Sequence, residues 1–219
     1  MKALTDNSQP GSAGRRPGRP RGGQDNAARR ERLLDIALSL FSRQGMAQTS
    51  LNAIAKEAGV TPAMLNYYFN SREQLLDAMI EERFLPLRSE IVAVFKAHPD
   101  DPVTALTQTV QTLARLAERH AWFAPLWMQE VIGEMSPLRA HLQARWGEEE
   151  HRATLALLIR WQQEGKLNPA LAPELLFTTL LSLVLVPFSR MRNDERLASL
   201  SPETIVRHAL AVTGAGMAG

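Results

Sequence analysis

The chain has 219 residues, no cysteine, and 25 Lys/Arg against 23 Asp/Glu, for a formal net charge of +2. Without cysteine there can be no disulfide, thiol nucleophile or cysteine-ligated zinc, so zinc-finger folds are excluded; the composition suits a reducing cytoplasm, the expected location. With 45% hydrophobic residues a real core can be buried, and the N-terminus lacks the apolar run of a secretory signal.

The charge is uneven. Residues 1–80 hold 11 Lys/Arg against 7 Asp/Glu, a balance of +4, and residues 81–219 hold 14 against 16, a balance of −2. A basic N-terminal part is the electrostatic footprint of a nucleic-acid partner. Residues 1–24 mix glycine and proline with Arg15, Arg16, Arg19 and Arg21 and show no apolar periodicity, which predicts a disordered basic arm. Gly18-Arg19-Pro20 resembles the core of an AT-hook, whose arginines enter the A·T minor groove; a plain solvated tail is the alternative. A first helix is expected from Asp25 or Asn26 to Gly45, with Leu33, Ile36, Ala37, Leu40 and Phe41 as one apolar stripe and Arg29, Arg30 and Arg32 placed to meet phosphates.

Two short helices with a tight turn follow. Thr49 can cap the first, which carries Leu51, Ile54, Ala55 and Ala58, and Gly59 supplies the left-handed residue that ends it. Thr61 is a good N-cap and Pro62 a good first residue for the second, in which Leu65 and Phe69 share one face and Ala63, Met64, Asn66 and Tyr67 point elsewhere. That outward face is small or hydrogen-bonding and free of acids, as a helix entering a major groove requires.

Gly45, Thr49-Ser50, Ile54-Ala55, Ala58-Gly59-Val60-Thr61, Leu65, Tyr68-Phe69 and Ser71-Arg72-Glu73 together resemble the N-terminal DNA-binding domain of the TetR family of transcriptional regulators. The resemblance covers about 50 residues and departs from the family at Asn66, where a backbone-touching tyrosine is usual. It implies a DNA face made of Ser50, Asn52, Thr61, Pro62, Ala63, Met64, Asn66, Tyr67, Tyr68 and Arg72. Thr61, Ala63 and Met64 suit thymine methyls, Asn66 can pair with adenine or cap a neighbour, and Ser50, Tyr68 and Arg72 suit phosphates.

Ser71 to Gln74 reads as a capping box opening a long fourth helix, with a kink or break expected near Leu85 because of Pro86. Further helices are expected over 102–120, 122–133, 136–165, 173–190 and 202–213. The aromatic-rich part offers His120, Trp122, Phe123, Trp127, Met128, Trp146 and Trp161 either as plain core or, as the resemblance implies for this part of the chain, as the pocket of an unknown small-molecule effector. Glu148-x-x-His151 has the spacing of a di-iron ligand pair, but the second pair and the further glutamates are not found, so no enzyme, catalytic residue, metal or cofactor is expected. The most apolar run, Leu175 to Phe188, has 14 residues, short of the roughly 20 needed to span a bilayer, so no membrane is expected. Its helix is apolar nearly all round, which predicts burial against a partner subunit, with Leu181 and Leu185 at the interface; the family likewise dimerises through its last two helices.

The expected fold is all-α, with about nine helices: a basic arm (1–24), a three-helix helix-turn-helix DNA-binding domain (25–72) and a larger effector-binding and dimerisation domain (73–219). The expected function is that of a homodimeric repressor released from a palindromic double-stranded operator by a small molecule. A ligand-independent architectural DNA-binding protein is the alternative.

Overall fold

The computed structural model describes residues 22–131, 136–145, 148–191 and 194–217, and all regular structure among them is helical. Residues 1–21 of the expected basic arm, and Trp146, lie outside the described residues.

Helix α1 (Gly22–Gln44) starts a few residues before the expected Asp25. It buries Leu33, Leu34, Ala37, Leu38, Leu40 and Phe41, with Ile36 at the edge of the stripe. Gly45, at φ 79°, ends it; a side chain there would strain the left-handed backbone. Helix α2 (Leu51–Glu57) is capped by Ser50, not by Thr49: the Ser50 hydroxyl accepts from the Ala53 N–H at 3.1 Å. Thr49 is buried and donates to the Gly45 carbonyl at 2.8 Å. The two hydroxyls are adjacent, and the extended backbone of Ser50 (φ −92°, ψ 160°) decides which one caps. Gly59, at φ 67°, makes the tight turn. Helix α3 (Pro62–Tyr68) is capped by Thr61, whose hydroxyl accepts from the Met64 N–H at 3.2 Å. Leu65 and Phe69 are fully buried beneath it.

Helix α4 (Arg72–Met79) opens with Ser71 accepting from the Gln74 N–H at 3.2 Å, while the Gln74 side chain accepts from the Asn70 N–H at 3.1 Å. The return bond thus falls one residue earlier than in the usual capping box. Instead of kinking at Leu85, the chain passes through a π-helical turn, Ile80–Phe84, directly into α5 (Leu85–Ala97). Pro86 has no N–H to give the preceding turn, and the wider π turn, in which the Leu85 N–H reaches the Ile80 carbonyl, absorbs it. The turn is clamped to α1. Arg30 holds Glu82 with two bonds of 2.5 and 2.6 Å and lies over the Phe69 ring, and Arg83 pairs with Glu31 and, at 3.0 Å, with Asp35. Arg30, expected at phosphates, is therefore committed inside the chain.

The Arg30 hydrogen bonds hold the Glu82 carboxyl below its ordinary value of 4.5. A depressed folded value contributes stability that is present above 4.5 and lost as pH falls through the folded value. Melting temperature should accordingly drop on acidification below about pH 4.5, and Glu82→Gln should flatten that part of the profile.

Helix α6 (Pro102–Arg119) is capped by Asp101 and runs through the centre of the C-terminal part. Around it lie α7 (Phe123–Leu126), a second π-helical turn at Trp127–Val131, α8 (Pro137–Arg145), α9 (Glu148–Gln163), α10 (Pro173–Arg190) and α11 (Pro202–Met217). Helix α10 packs on α6, α7, α9 and α11. With 18 residues and a mean hydropathy of 1.3 it is long and apolar enough to cross a membrane by length and composition, more than its 14-residue run implied. Its inner face, Leu176, Leu180, Leu181, Val184 and Leu185, is buried within the protomer. Leu181 and Leu185 are therefore this chain's own core and not the expected partner contacts. The opposite face remains uncovered: Leu175 is 62% exposed, and Val212 on α11 is 49% exposed.

Candidate DNA-binding face and effector cavity

Helix α3 presents Thr61, Pro62, Ala63, Met64, Asn66 and Tyr67 to solvent, with Tyr67 75% exposed. Asn52 is exposed on α2, and Ser50 is exposed while its hydroxyl caps that helix. No acidic side chain lies on α3. Between α3 and the start of α1 runs a groove lined by Asp25, Asn26, Arg29, Thr61, Met64, Tyr67 and Tyr68. The Tyr68 hydroxyl donates to the Asn26 side-chain carbonyl, and the Tyr67 ring meets Tyr68 edge-on at 5.2 Å. Asp25 and Asn26 were legible only as the start of a helix; their place beside α3 depends on the angle at which α1 crosses the turn.

Arg72 differs from its expected phosphate role. Its guanidinium donates to the Thr49 carbonyl at 2.6 Å and to the Met46 carbonyl, and lies 5.6 Å from the centre of the Phe41 ring. It staples the α1–α2 turn to the first residue of α4. Arg72→Ala should lower stability by about 1.5–3 kcal/mol, the loss expected for hydrogen bonds from a charged donor, and leave the salt slope of DNA binding nearly unchanged. Urea titration and binding at several salt concentrations would check both. Asn66, exposed and free of a cap role, should behave differently: Asn66→Ala is expected to change sequence preference with little effect on melting, read by comparing duplexes selected by the two proteins.

A second concave site lies in the C-terminal part, a cavity of about 530 Å³ bounded by α5, α7, the second π turn, α9 and α10. Its walls are mostly apolar, from Phe84, Leu87, Ile91 and Phe95 on one side to Phe123, Trp127, Leu158 and Phe177 on the other, with Arg88, Gln143, Glu148, Glu150, His151, Thr154 and Glu174 as polar members. Arg88 pairs with Glu150. Of the residues expected in a pocket, Phe123 and Trp127 line this cavity. His120, Trp122, Met128 and Trp161 lie off it. Trp161 is fully buried, stacked on Phe95 at 6.3 Å and donating to the Pro99 carbonyl at 2.8 Å. Trp122 sits between Phe84 and Phe123, with ring centres at 5.2 and 6.0 Å, behind the wall. His120 tilts against Trp122, where burial pushes its pKa below 6.5. Met128 is half-buried. The wall contributed by α5 was missed because Leu87, Ile91 and Phe95 follow ordinary core periodicity; nothing in that spacing separates a cavity wall from a filled core.

Glu148 and His151 both border the cavity, and Glu148 pairs with Arg152 at 3.6 Å. Among the described residues no group of three or more His, Asp or Glu side chains is placed to hold a metal ion.

A capped helix-turn-helix thus stands beside a larger all-helical part. Residues 33–79 match the family model for bacterial regulatory proteins of the tetR family. It is 38% identical over 97 residues to the HTH-type transcriptional regulator BetI of Rhizobium meliloti (strain 1021), a match spanning 44% of this chain and 45% of that protein. The match thus spans less than half the length of that relative. The solved structure of the ketosteroid transcriptional regulator KstR2 of Mycobacterium tuberculosis aligns with a TM-score of 0.68 at 19% identity, covering 87% of this chain and 95% of that one. NalD, the secondary repressor of the MexAB-OprM multidrug efflux pump in Pseudomonas aeruginosa, aligns with a TM-score of 0.61 at 22% identity, over 89% and 98% of the two chains. At these identities the structures establish the shared fold alone.

Proposed function

We propose that the chain is a cytoplasmic, homodimeric DNA-binding transcriptional repressor that leaves a palindromic operator when a largely apolar small molecule fills the cavity beside α5 and α9. The observation that carries this reading is the coexistence of an exposed, acid-free α3 and a separate cavity of about 530 Å³, within the size range of small-molecule sites. In this reading residues 25–72 form the reading head and 73–219 the effector and dimerisation domain. Thr61, Ala63, Met64 and Asn66 face base edges, and Asn26, Arg29, Ser50 and Tyr68 lie toward the backbone.

The uncovered face of α10 and α11 supplies the dimer contact, and two-fold symmetry then presents two α3 helices to successive major-groove faces about 34 Å apart. The repressor role is part of this proposal; NalD, which shares the fold, is named as a repressor. Release needs only that the ligand favour a protomer shape in which the two α3 helices no longer match that spacing. A coupling free energy of about 1–3 kcal/mol would change operator affinity roughly 5- to 150-fold.

A thermal-shift screen of small molecules, followed by DNA-release assays on each hit, tests the reading. Hits that raise the melting temperature and release DNA support it; stabilising hits that leave DNA bound would favour the architectural alternative.

A further inference from the structure

The second π-helical turn, Trp127–Val131, faces two ways. Trp127 lines the cavity. Glu130, three residues on, is buried, at 8% exposure, and reaches the reading head: its Oε1 accepts from the backbone N–H of Met46 at 2.9 Å, and its Oε2 accepts from the Ser136 hydroxyl at 2.7 Å. Gln129 adds a weaker bond, donating to the Ser42 carbonyl at 3.3 Å. Met46 sits in the α1–α2 turn, directly after the left-handed Gly45, and its carbonyl is one of the two held by Arg72. That turn is therefore gripped from both sides, by Arg72 of α4 and by Glu130 of the C-terminal part. Its last residue, Ser50, starts α2 and so sets the position of α3.

Resting on the reading of the cavity as an effector site, we infer that Glu130 is a positioning residue that transmits the state of Trp127 to the reading head through the Met46 N–H. π-Helical turns are rare, short and often found at functional sites. A five-residue turn with one side chain on the cavity and another on the head cannot shift at one end without altering the other. Among the described contacts, the Glu130–Met46 bond joins a cavity-lining turn to the backbone of the α1–α2 turn. A carboxylate accepting a buried backbone N–H is directional, so a displacement of about 1 Å is enough to break it and leave that N–H unpaired.

The test needs no ligand, so its failure is distinct from failure of the effector reading. Full-length protein would be titrated with the duplex that the wild-type chain selects from a random pool, in a double-mutant cycle of Trp127→Leu and Glu130→Leu. Glu130→Leu is expected to weaken binding about 10- to 100-fold, and Glu130→Gln, whose amide oxygen can still accept from Met46, to restore most of it. Trp127→Leu should alter affinity severalfold in the wild-type background and have no effect once residue 130 is leucine. Multiplicative effects in the two backgrounds, or a Glu130→Leu protein that binds normally, would overturn the inference. Should Glu130→Leu fail to fold, amide exchange in Trp127→Leu decides. Faster exchange at Met46 with unchanged exchange at Leu113 supports the relay, and unchanged exchange at Met46 overturns it.

Discussion

Replacing Leu175 and Val212 together by glutamate is expected to yield a folded monomer that no longer holds its operator. Leu175, on the outer face of α10, is 62% exposed within the protomer and Val212 on α11 is 49% exposed, so the change removes limited internal packing. Placed against a second copy, four glutamates would be desolvated without partners, a cost of several kcal/mol that a helical interface does not offset. The monomer keeps one α3 and loses the effective-concentration advantage of a linked second one, which is worth about 10²- to 10⁴-fold in affinity. Sedimentation would show half the mass, circular dichroism would keep its helical signal, and operator binding would fall into the non-specific range. Leu181→Glu and Leu185→Glu, the variants that hydropathy alone would choose, should instead unfold the protomer, because these side chains are 7% and 0% exposed inside one chain.

The second large effect concerns Ala63. It is exposed in the first turn of α3, directly after Pro62. A glutamate at the N-terminal turn of a helix is favoured by the helix dipole by about 0.3–1 kcal/mol, so Ala63→Glu should leave stability unchanged or slightly raised. On the same face it would point a negative charge at the duplex, where like-charge contact costs several kcal/mol. Operator affinity should then drop by about 10²- to 10³-fold while the melting temperature holds. Loss of binding together with loss of stability would show that Ala63 supports the fold and is not on the reading face.

The parts that could be read directly from the residues are those whose physics is local. Thr61 followed by Pro62, Gly59 between two apolar runs, and Ser71 three residues before Gln74 are capping and turn signals complete within four residues, and each forms, with only the return bond of Gln74 shifted to Asn70. The cap of α2 moved by one position because Thr49 and Ser50 are chemically interchangeable there, and only the backbone distinguishes them.

Long-range pairings were beyond reach. Arg30 and Arg72 looked like phosphate contacts, yet each is held by groups distant in sequence: Glu82 for Arg30, and the Met46 and Thr49 carbonyls for Arg72; Arg83 is held likewise by Glu31 and Asp35. The bond from Glu130 to the Met46 N–H carried no signal, since the partner of a single acid in an apolar stretch is hidden until the turn that receives it is placed. The cavity was legible only in part. Phe123 and Trp127 were named from their aromatic character, while the α5 wall looks like ordinary core and Trp161, chosen for its size, packs against Phe95 outside the cavity.

Whether a symmetric pair of α3 helices reads DNA is decided by selection from a random duplex pool with the full-length chain. The expected result is enrichment of a two-fold symmetric sequence whose half-sites lie about one helical turn, or a whole multiple of it, apart, and no enrichment by Ala63→Glu. A pool that stays unenriched with the wild-type chain, or that Ala63→Glu enriches equally well, would contradict it.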